Sequence, residues 1–319
     1  MGTSPLLTAR VQSLHYEAEG IISVELRPLG DTRFPAFEAG AHIDLHLANG
    51  LVRSYSLLNA PGDPGYYRVG ILRDRNSRGG SEYIHSQLRV GMTLTISAPR
   101  NHFALDLAAE HSVLVAGGIG ITPIYCMFGH LLALGKSAEL IYCARSRQEA
   151  ALLASLDSLG APVRYHFNDE QGLPPDLGDY LTGYPSDTHF YCCGPTPMLD
   201  AFESTCERLD YVHSHIERFS ASEIAPSADA RSHYSVELKK SGRTLAVDPA
   251  RSLLEVLLEA GCAIDHSCRE GVCGSCETRV LEGEVDHRDG VLSKAERAAN
   301  RSMMVCVSGC KSQRLVLDL

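Results

Sequence analysis

The chain has 319 residues, a formal net charge of −10, 44% hydrophobic and 21% charged residues. That length has room for two or three domains, and the composition is that of a globular protein. The acidic balance argues against nucleic acid as a partner, and no apolar run is long enough to span a membrane.

The first residues, Met1-Gly2-Thr3-Ser4-Pro5-Leu6, lack the basic and apolar regions of an export signal. A cytoplasmic protein is therefore predicted, and its eleven cysteines are read as thiols or metal ligands, not disulfides. Residues 7–104 alternate apolar and polar positions in short runs with frequent Gly and Pro. Strands are predicted at 21–26, 42–47, 67–72 and 93–96, which suggests a small antiparallel barrel. Within it stands Arg53-Ser54-Tyr55-Ser56. On a strand, residues two apart share a face, so Arg53 and Tyr55 point the same way. Taken alone, the tetrapeptide is equally an ordinary exposed strand. Downstream, Asn76-Ser77-Arg78-Gly79-Gly80-Ser81 precedes a predicted helix at 82–88. Backbone amides of Gly79 and Gly80 at a helix start make an anion site, to which Arg78 and Ser81 add a charge and a hydroxyl.

In the middle third the pattern changes to alternating strands and helices, the mark of a parallel sheet with crossovers. The apolar run 112–116 breaks at Gly117-Gly118-Ile119-Gly120-Ile121-Thr122-Pro123, and a helix is predicted over 124–134 with Thr122 as its cap and Pro123 at its first position. Gly117, Gly118 and Gly120 let the backbone approach a pyrophosphate at the positive end of the helix dipole. Strands at 140–144, 163–167 and 188–193 and helices at 148–159 and 198–209 follow. The last of these strands ends at Cys193-Gly194-Pro195. Alternation allows only one of Cys192 and Cys193 to face a site at this turn. Where an acidic residue would read the ribose hydroxyls of NADH, the chain has Ala144-Arg145-Ser146-Arg147. Those arginines could accept the 2′-phosphate of NADPH or face solvent, so the choice of nucleotide stays open. Residues 220–229 are small and polar and contain a proline, and they read as a linker.

The C-terminal part is near neutral, with 13 acids against 12 bases in residues 233–319. A hairpin around Ser241-Gly242 and a helix over 252–260 lead to Cys268, Cys273 and Cys276 at C-x4-C-x2-C spacing. Cys306 follows in an apolar run. This is the plant-type ligand pattern of a 2Fe–2S cluster, whereas structural zinc more often uses two C-x2-C pairs. Cys310 rivals Cys306 as fourth ligand, but it follows Gly309 in a predicted turn. No C-x-H with a later C-x2-H is present, so a Rieske cluster is not expected in this chain.

Together these motifs resemble the phthalate dioxygenase reductase family, which includes the reductases of vanillate demethylase and phenoxybenzoate dioxygenase. The resemblance implies a multi-domain protein. Residues 1–104 are an FMN-binding antiparallel β-barrel, and residues 105–222 are an α/β NAD(P)H-binding domain with a parallel sheet. A linker at 223–232 leads to a β-grasp, plant-type ferredoxin at 233–319. The resemblance also implies that Arg53 pairs with the flavin phosphate, that Tyr55 covers the flavin ring, and that Ser56 offers its hydroxyl near flavin N5. Cys193 would lie beside the nicotinamide, with Gly194 and Pro195 completing the turn, and Phe219 would pack near the flavin. It favours NADH, with NADPH possible. The implied activity is electron transfer from NAD(P)H through FMN to the cluster, and on to a separate Rieske oxygenase. A reductase for a di-iron monooxygenase is the near alternative. A non-enzymatic iron–sulfur redox sensor is the alternative of a different class.

Overall fold

A computed structural model describes residues 6–62, 65–75, 77–219, 233–248 and 250–319. The described residues form two compact units, 6–219 and 233–319. The predicted linker at 223–232 lies outside the described residues.

The first unit begins with β1 (Leu6–Ala18), β2 (Ile21–Pro28), β3 (His42–His46), β4 (Val52–Ser56) and β5 (Tyr67–Leu72), then helix α1 (Gly80–Gln87) and β6 (Thr93–Ser97). The strands form one antiparallel sheet in the order β4-β3-β6-β1-β2-β5. Alternation decides what is buried: in β6, Leu94 and Ile96 point inward while Thr93 and Thr95 stay exposed. The edges meet again where Leu57 bridges Val69 and Leu58 N–H donates to the Arg68 carbonyl at 2.9 Å. The sheet thereby closes into a barrel, which leaves no long edge open.

A parallel sheet follows, built from β7 (His111–Gly117), α2 (Ile121–Ala133), β8 (Ser137–Ala144), α3 (Leu153–Ser158), β9 (Val163–Phe167), α4 (Asn168–Gln171), α5 (Leu177–Leu181), β10 (His189–Cys193), α6 (Thr196–Arg208) and β11 (Ser214–Glu217). The strand order is β11-β10-β7-β8-β9. The winding direction reverses between β7 and β10, so a ligand crevice is expected at their C-terminal ends. Three local features differ from the sequence expectation. A 3₁₀ turn at Gly118–Gly120 runs straight into α2, so Thr122 lies inside the first turn and donates to the Ile119 carbonyl at 3.0 Å instead of capping. Pro123 is tolerated there because first-turn N–H groups need no helical partner. The helix expected over 148–159 breaks, because Ala150, Ala151 and Leu152 are drawn into the core and Leu152 takes φ 64°. The third feature is β11, which was not expected as a strand.

One core joins the barrel to a face of the parallel sheet and includes Ile43, Val69, Ile124, Phe128, Tyr142 and Cys193. The opposite face packs Val113, Cys192 and Phe202 beneath α5 and α6. Cys192 and Cys193 thus face opposite ways, as alternation requires.

The second unit contains β12 (Tyr234–Leu238), β13 (Arg243–Val247), α7 (Leu253–Glu259), β14 (Glu277–Glu282), β15 (Val285–Asp286), α8 (Lys294–Ala299), β16 (Ser302–Met304), β17 (Gly309–Cys310) and β18 (Arg314–Leu317). Its main sheet runs β13-β12-β18-β14-β16, with β12 and β18 parallel. At the start of α7, the Ser252 hydroxyl accepts from Glu255 N–H at 3.2 Å while the Glu255 carboxylate accepts from Ser252 N–H at 3.0 Å. Losing such a cap costs about 1 kcal/mol. Leu253, Leu254 and Leu257 turn the helix onto the sheet. Among the described residues no helix is long and apolar enough to cross a membrane.

Candidate functional site

The site's first part is built where β4 meets the start of α1. The Arg53 guanidinium donates to the Arg78 carbonyl at 3.2 Å. Its side chain crosses Gly80 so closely that a Cβ there would lie 2.6 Å from Arg53 Nε. Gly79 caps the helix at φ 87°, a conformation that disfavours other residues. An arginine therefore lies over the amides of a helix start, which is an anion cradle. Ser81 is not turned into it. Its hydroxyl donates to Ser77 Oγ at 3.0 Å and accepts from Asp74 N–H at 3.2 Å. Ser77, not singled out from the sequence, accepts from the N–H groups of Gly79 and Glu82 and so organises the turn.

Ser54 also points away from Arg53 and Tyr55. Its hydroxyl donates to Asp44 Oδ1 at 2.6 Å, and Arg100 grips Asp44 Oδ2 at 2.6 Å. Burial alone would raise the Asp44 carboxyl. The Arg100 charge and the Ser54 hydroxyl outweigh it, and the net direction is down. This buried network braces β4 from behind. Tyr55 is half-buried beside Arg53, and desolvation pushes its phenol up.

The second part lies where the barrel meets the crevice. Ser56 Oγ donates to Glu217 Oε2 at 3.3 Å, and Glu217 pairs in register with Cys193 across β10 and β11. Burial pushes the Glu217 carboxyl up to about 8. It also raises the fully buried Cys193 thiol, and the neighbouring Glu217 adds to that effect. Arg218, on the other side of β11, pins the strand to α6 through Glu203 at 2.6 Å and Asp200 at 3.2 Å. The sequence offered no signal for Glu217, because only the register of β11 sets it beside Cys193 and Ser56. Phe219 follows, 41% exposed.

The glycine turn and the Cys193-Gly194-Pro195 turn touch. A Cβ on Gly120 would fall onto the Cys193 carbonyl oxygen, and one on Gly117 would meet Met198 Sδ at 2.5 Å and Pro195 Cδ at 2.8 Å. Thr122 reaches the barrel, its Cγ2 lying 2.5 Å from where a Cβ on Gly70 would be. Only glycine leaves room for this approach of two turns.

In the second unit the four expected cysteines come together in two pairs. The thiols of Cys268 and Cys273 are hydrogen-bond partners, and so are those of Cys276 and Cys306. Among the described residues no three metal-ligating side chains converge on one ion. Two pairs suit a cluster of two irons, each taking two thiolates. Backbone amides turn towards the sulfurs: Glu270 N–H donates to Cys268 Sγ at 3.3 Å, and Gly271 N–H donates to Cys306. Gly271 sits at φ 70° against Val307 and Asp289, where a Cβ would come within 2.6 Å of Val307 Cγ2. Cys310 is elsewhere, on β17, with its thiol donating to the Ser312 carbonyl at 2.6 Å. The donor set thus fits a 2Fe–2S cluster without Cys310.

A barrel that turns an arginine cradle and a serine towards a parallel-sheet crevice, followed by a β-grasp unit with paired thiols, is the layout of a flavin and iron–sulfur oxidoreductase. Residues 236–311 match the family described as "2Fe-2S iron-sulfur cluster binding domain". Phenoxybenzoate dioxygenase subunit beta of Ectopseudomonas oleovorans is 46% identical over 98% of this chain and 97% of its own length. Among solved structures, phthalate dioxygenase reductase superposes with a TM-score of 0.71 at 36% identity over 98% of both chains. An intact type IV self-sufficient cytochrome P450 monooxygenase gives a TM-score of 0.90 at 39% identity over 98% of this chain. The chain spans 41% of that longer protein. The chain belongs to the phthalate dioxygenase reductase family. It is accordingly an NAD(P)H-dependent flavin and 2Fe–2S oxidoreductase.

Proposed function

We propose that this chain is the reductase component of a two-component Rieske-type oxygenase acting on an aromatic or similar small organic substrate, and that it works in the cytoplasm. The observation that carries this reading is the pairing of functions on one chain. The contact of Ser56, Glu217 and Cys193 supports a hydride-transfer site, and the two thiol pairs support a one-electron site. When bound, the flavin accepts electrons in pairs and the cluster takes them singly.

In this reading Arg53 and the amides of Gly79 and Gly80 hold the flavin phosphate, with Arg78 and Ser81 shaping the turn. Tyr55 covers the flavin ring. Ser56 presents its hydroxyl at the reacting edge, and Glu217 holds a proton that keeps this buried junction uncharged. Cys193, Gly194 and Pro195 position the nicotinamide and exclude water. Gly117, Gly118 and Gly120 receive the pyrophosphate, and Thr122 and Pro123 fix the helix start behind it. Phe219 borders the flavin. Cys268, Cys273, Cys276 and Cys306 bind the cluster. The domain limits that go with this reading are 1–104, 105–222 and 233–319.

A second reading makes the acceptor a haem monooxygenase, because the P450 neighbour carries this same architecture within its own chain. Reconstitution separates the two. The purified chain, NADH and a Rieske oxygenase encoded beside it are expected to turn over an aromatic substrate. Transfer to a haem or di-iron oxygenase alone would replace the first reading.

A further inference from the structure

Beyond the Gly117–Gly120 turn, the crevice continues over the C-terminal end of β8. A nucleotide with its nicotinamide at Cys193 on β10 and its pyrophosphate at the β7 turn carries its adenosine ribose on to β8, because the strand order is β10-β7-β8-β9. There the chain presents Arg145 and Arg147, the two cations that could receive a 2′-phosphate. Arg147 is already engaged. Its Nε donates to Glu170 Oε1 at 2.6 Å and its Nη2 donates to Oε2 at 3.3 Å, a two-pronged carboxylate grip. Its guanidinium also lies 4.4 Å above the centre of the Phe167 ring. Glu170 stands on α4, directly after β9, and that turn is tied to the end of β8 by Asp169 N–H donating to the Arg145 carbonyl at 3.1 Å. Arg147 lines a cavity of about 550 Å³ whose barrel-side wall carries Glu17 and Glu19.

We propose that Glu170 sets a preference for NADH over NADPH by occupying the guanidinium that a 2′-phosphate would need. This rests on the nucleotide-binding reading of the crevice given above. The ion pair is solvent-exposed, so it contributes little to folding. Its effect falls on the ligand. A phosphate ester carries close to two negative charges at neutral pH, and it would have to displace Glu170 from Arg147 and then remain beside it. A ribose with free hydroxyls brings no charge and leaves the pair intact. Arg147, which from sequence alone could accept a 2′-phosphate or face solvent, is neutralised by a residue 23 positions away.

The test compares kcat/KM for NADH and NADPH in the cofactor-loaded protein with ferricyanide as acceptor. Glu170→Gln is expected to raise the NADPH-to-NADH ratio by about tenfold or more, equivalent to about 1.4 kcal/mol. The gain should come through the KM for NADPH and not through kcat. Glu170→Asp should stay near the wild-type ratio, and adding Arg147→Gln to Glu170→Gln should remove the gain. An unchanged ratio in Glu170→Gln, or a gain that survives the loss of Arg147, would overturn the proposal. Wild-type protein that prefers NADPH with Glu170 intact would overturn it as well. If the wild type oxidises neither nucleotide, it is the oxidoreductase reading that fails.

Discussion

Glu217 shows how a single carboxyl acquires a role from its surroundings. In an unfolded chain it ionises near 4.5, whereas burial holds its proton in the folded protein up to about 8. The sign follows: folding favours the protonated acid, so this group's contribution to stability is complete below about 4.5 and is lost as pH rises towards 8. A shift of that size corresponds to several kcal/mol at most, lost progressively across this window. Thermal midpoints measured across this window should fall in the wild type relative to Glu217→Gln. A constant difference between the two proteins would show that Glu217 is ionised in the folded state. The neighbouring glycines work differently. Gly120 matters because the Cys193 carbonyl occupies the space a side chain would need.

Among the elements, β4 combines two roles on its two faces. Arg53 and Tyr55 face the cradle, while Ser54 is tied to Asp44 and Arg100 behind the strand. The rear face fixes the strand that the front face uses. Ser54→Ala leaves the buried Asp44 short of one donor, which costs about 1–3 kcal/mol. The chemical-denaturation midpoint should drop accordingly and flavin should dissociate faster. Unchanged flavin retention would mean that the brace stabilises the barrel without positioning the site. The end of β11 follows the same logic, with Arg218 anchoring one face to α6 while Glu217 serves the other.

For the whole molecule, the order of electron flow is the testable property. Cys273→Ser or Cys306→Ser is expected to abolish cytochrome c reduction while NAD(P)H oxidation by ferricyanide continues, because ferricyanide draws from flavin directly. Cys310→Ser should retain both activities and the visible spectrum of the cluster, since its thiol is bonded to Ser312 on a separate ladder. Loss of both activities in Cys273→Ser would contradict the order. Much of this architecture was legible in the chain. The cysteine spacing, the Gly117–Pro123 turn and the change from period-two strands to a strand–helix alternation are all local signals. The missed features depend on packing and side-chain direction, which spacing does not show: β11, the break at Leu152, and the tethering of Ser81 to Ser77 and of Ser54 to Asp44.

The sequence by itself determined the modules, their order and the residue types each cofactor needs, because those depend on spacing along one stretch of chain. Only the tertiary structure decided which residues meet across stretches. It set Glu217 beside Ser56 and Cys193 and gave Arg147 to Glu170. The reason is that strand register and desolvation belong to no local segment; they exist only once distant strands pack and water is removed between them.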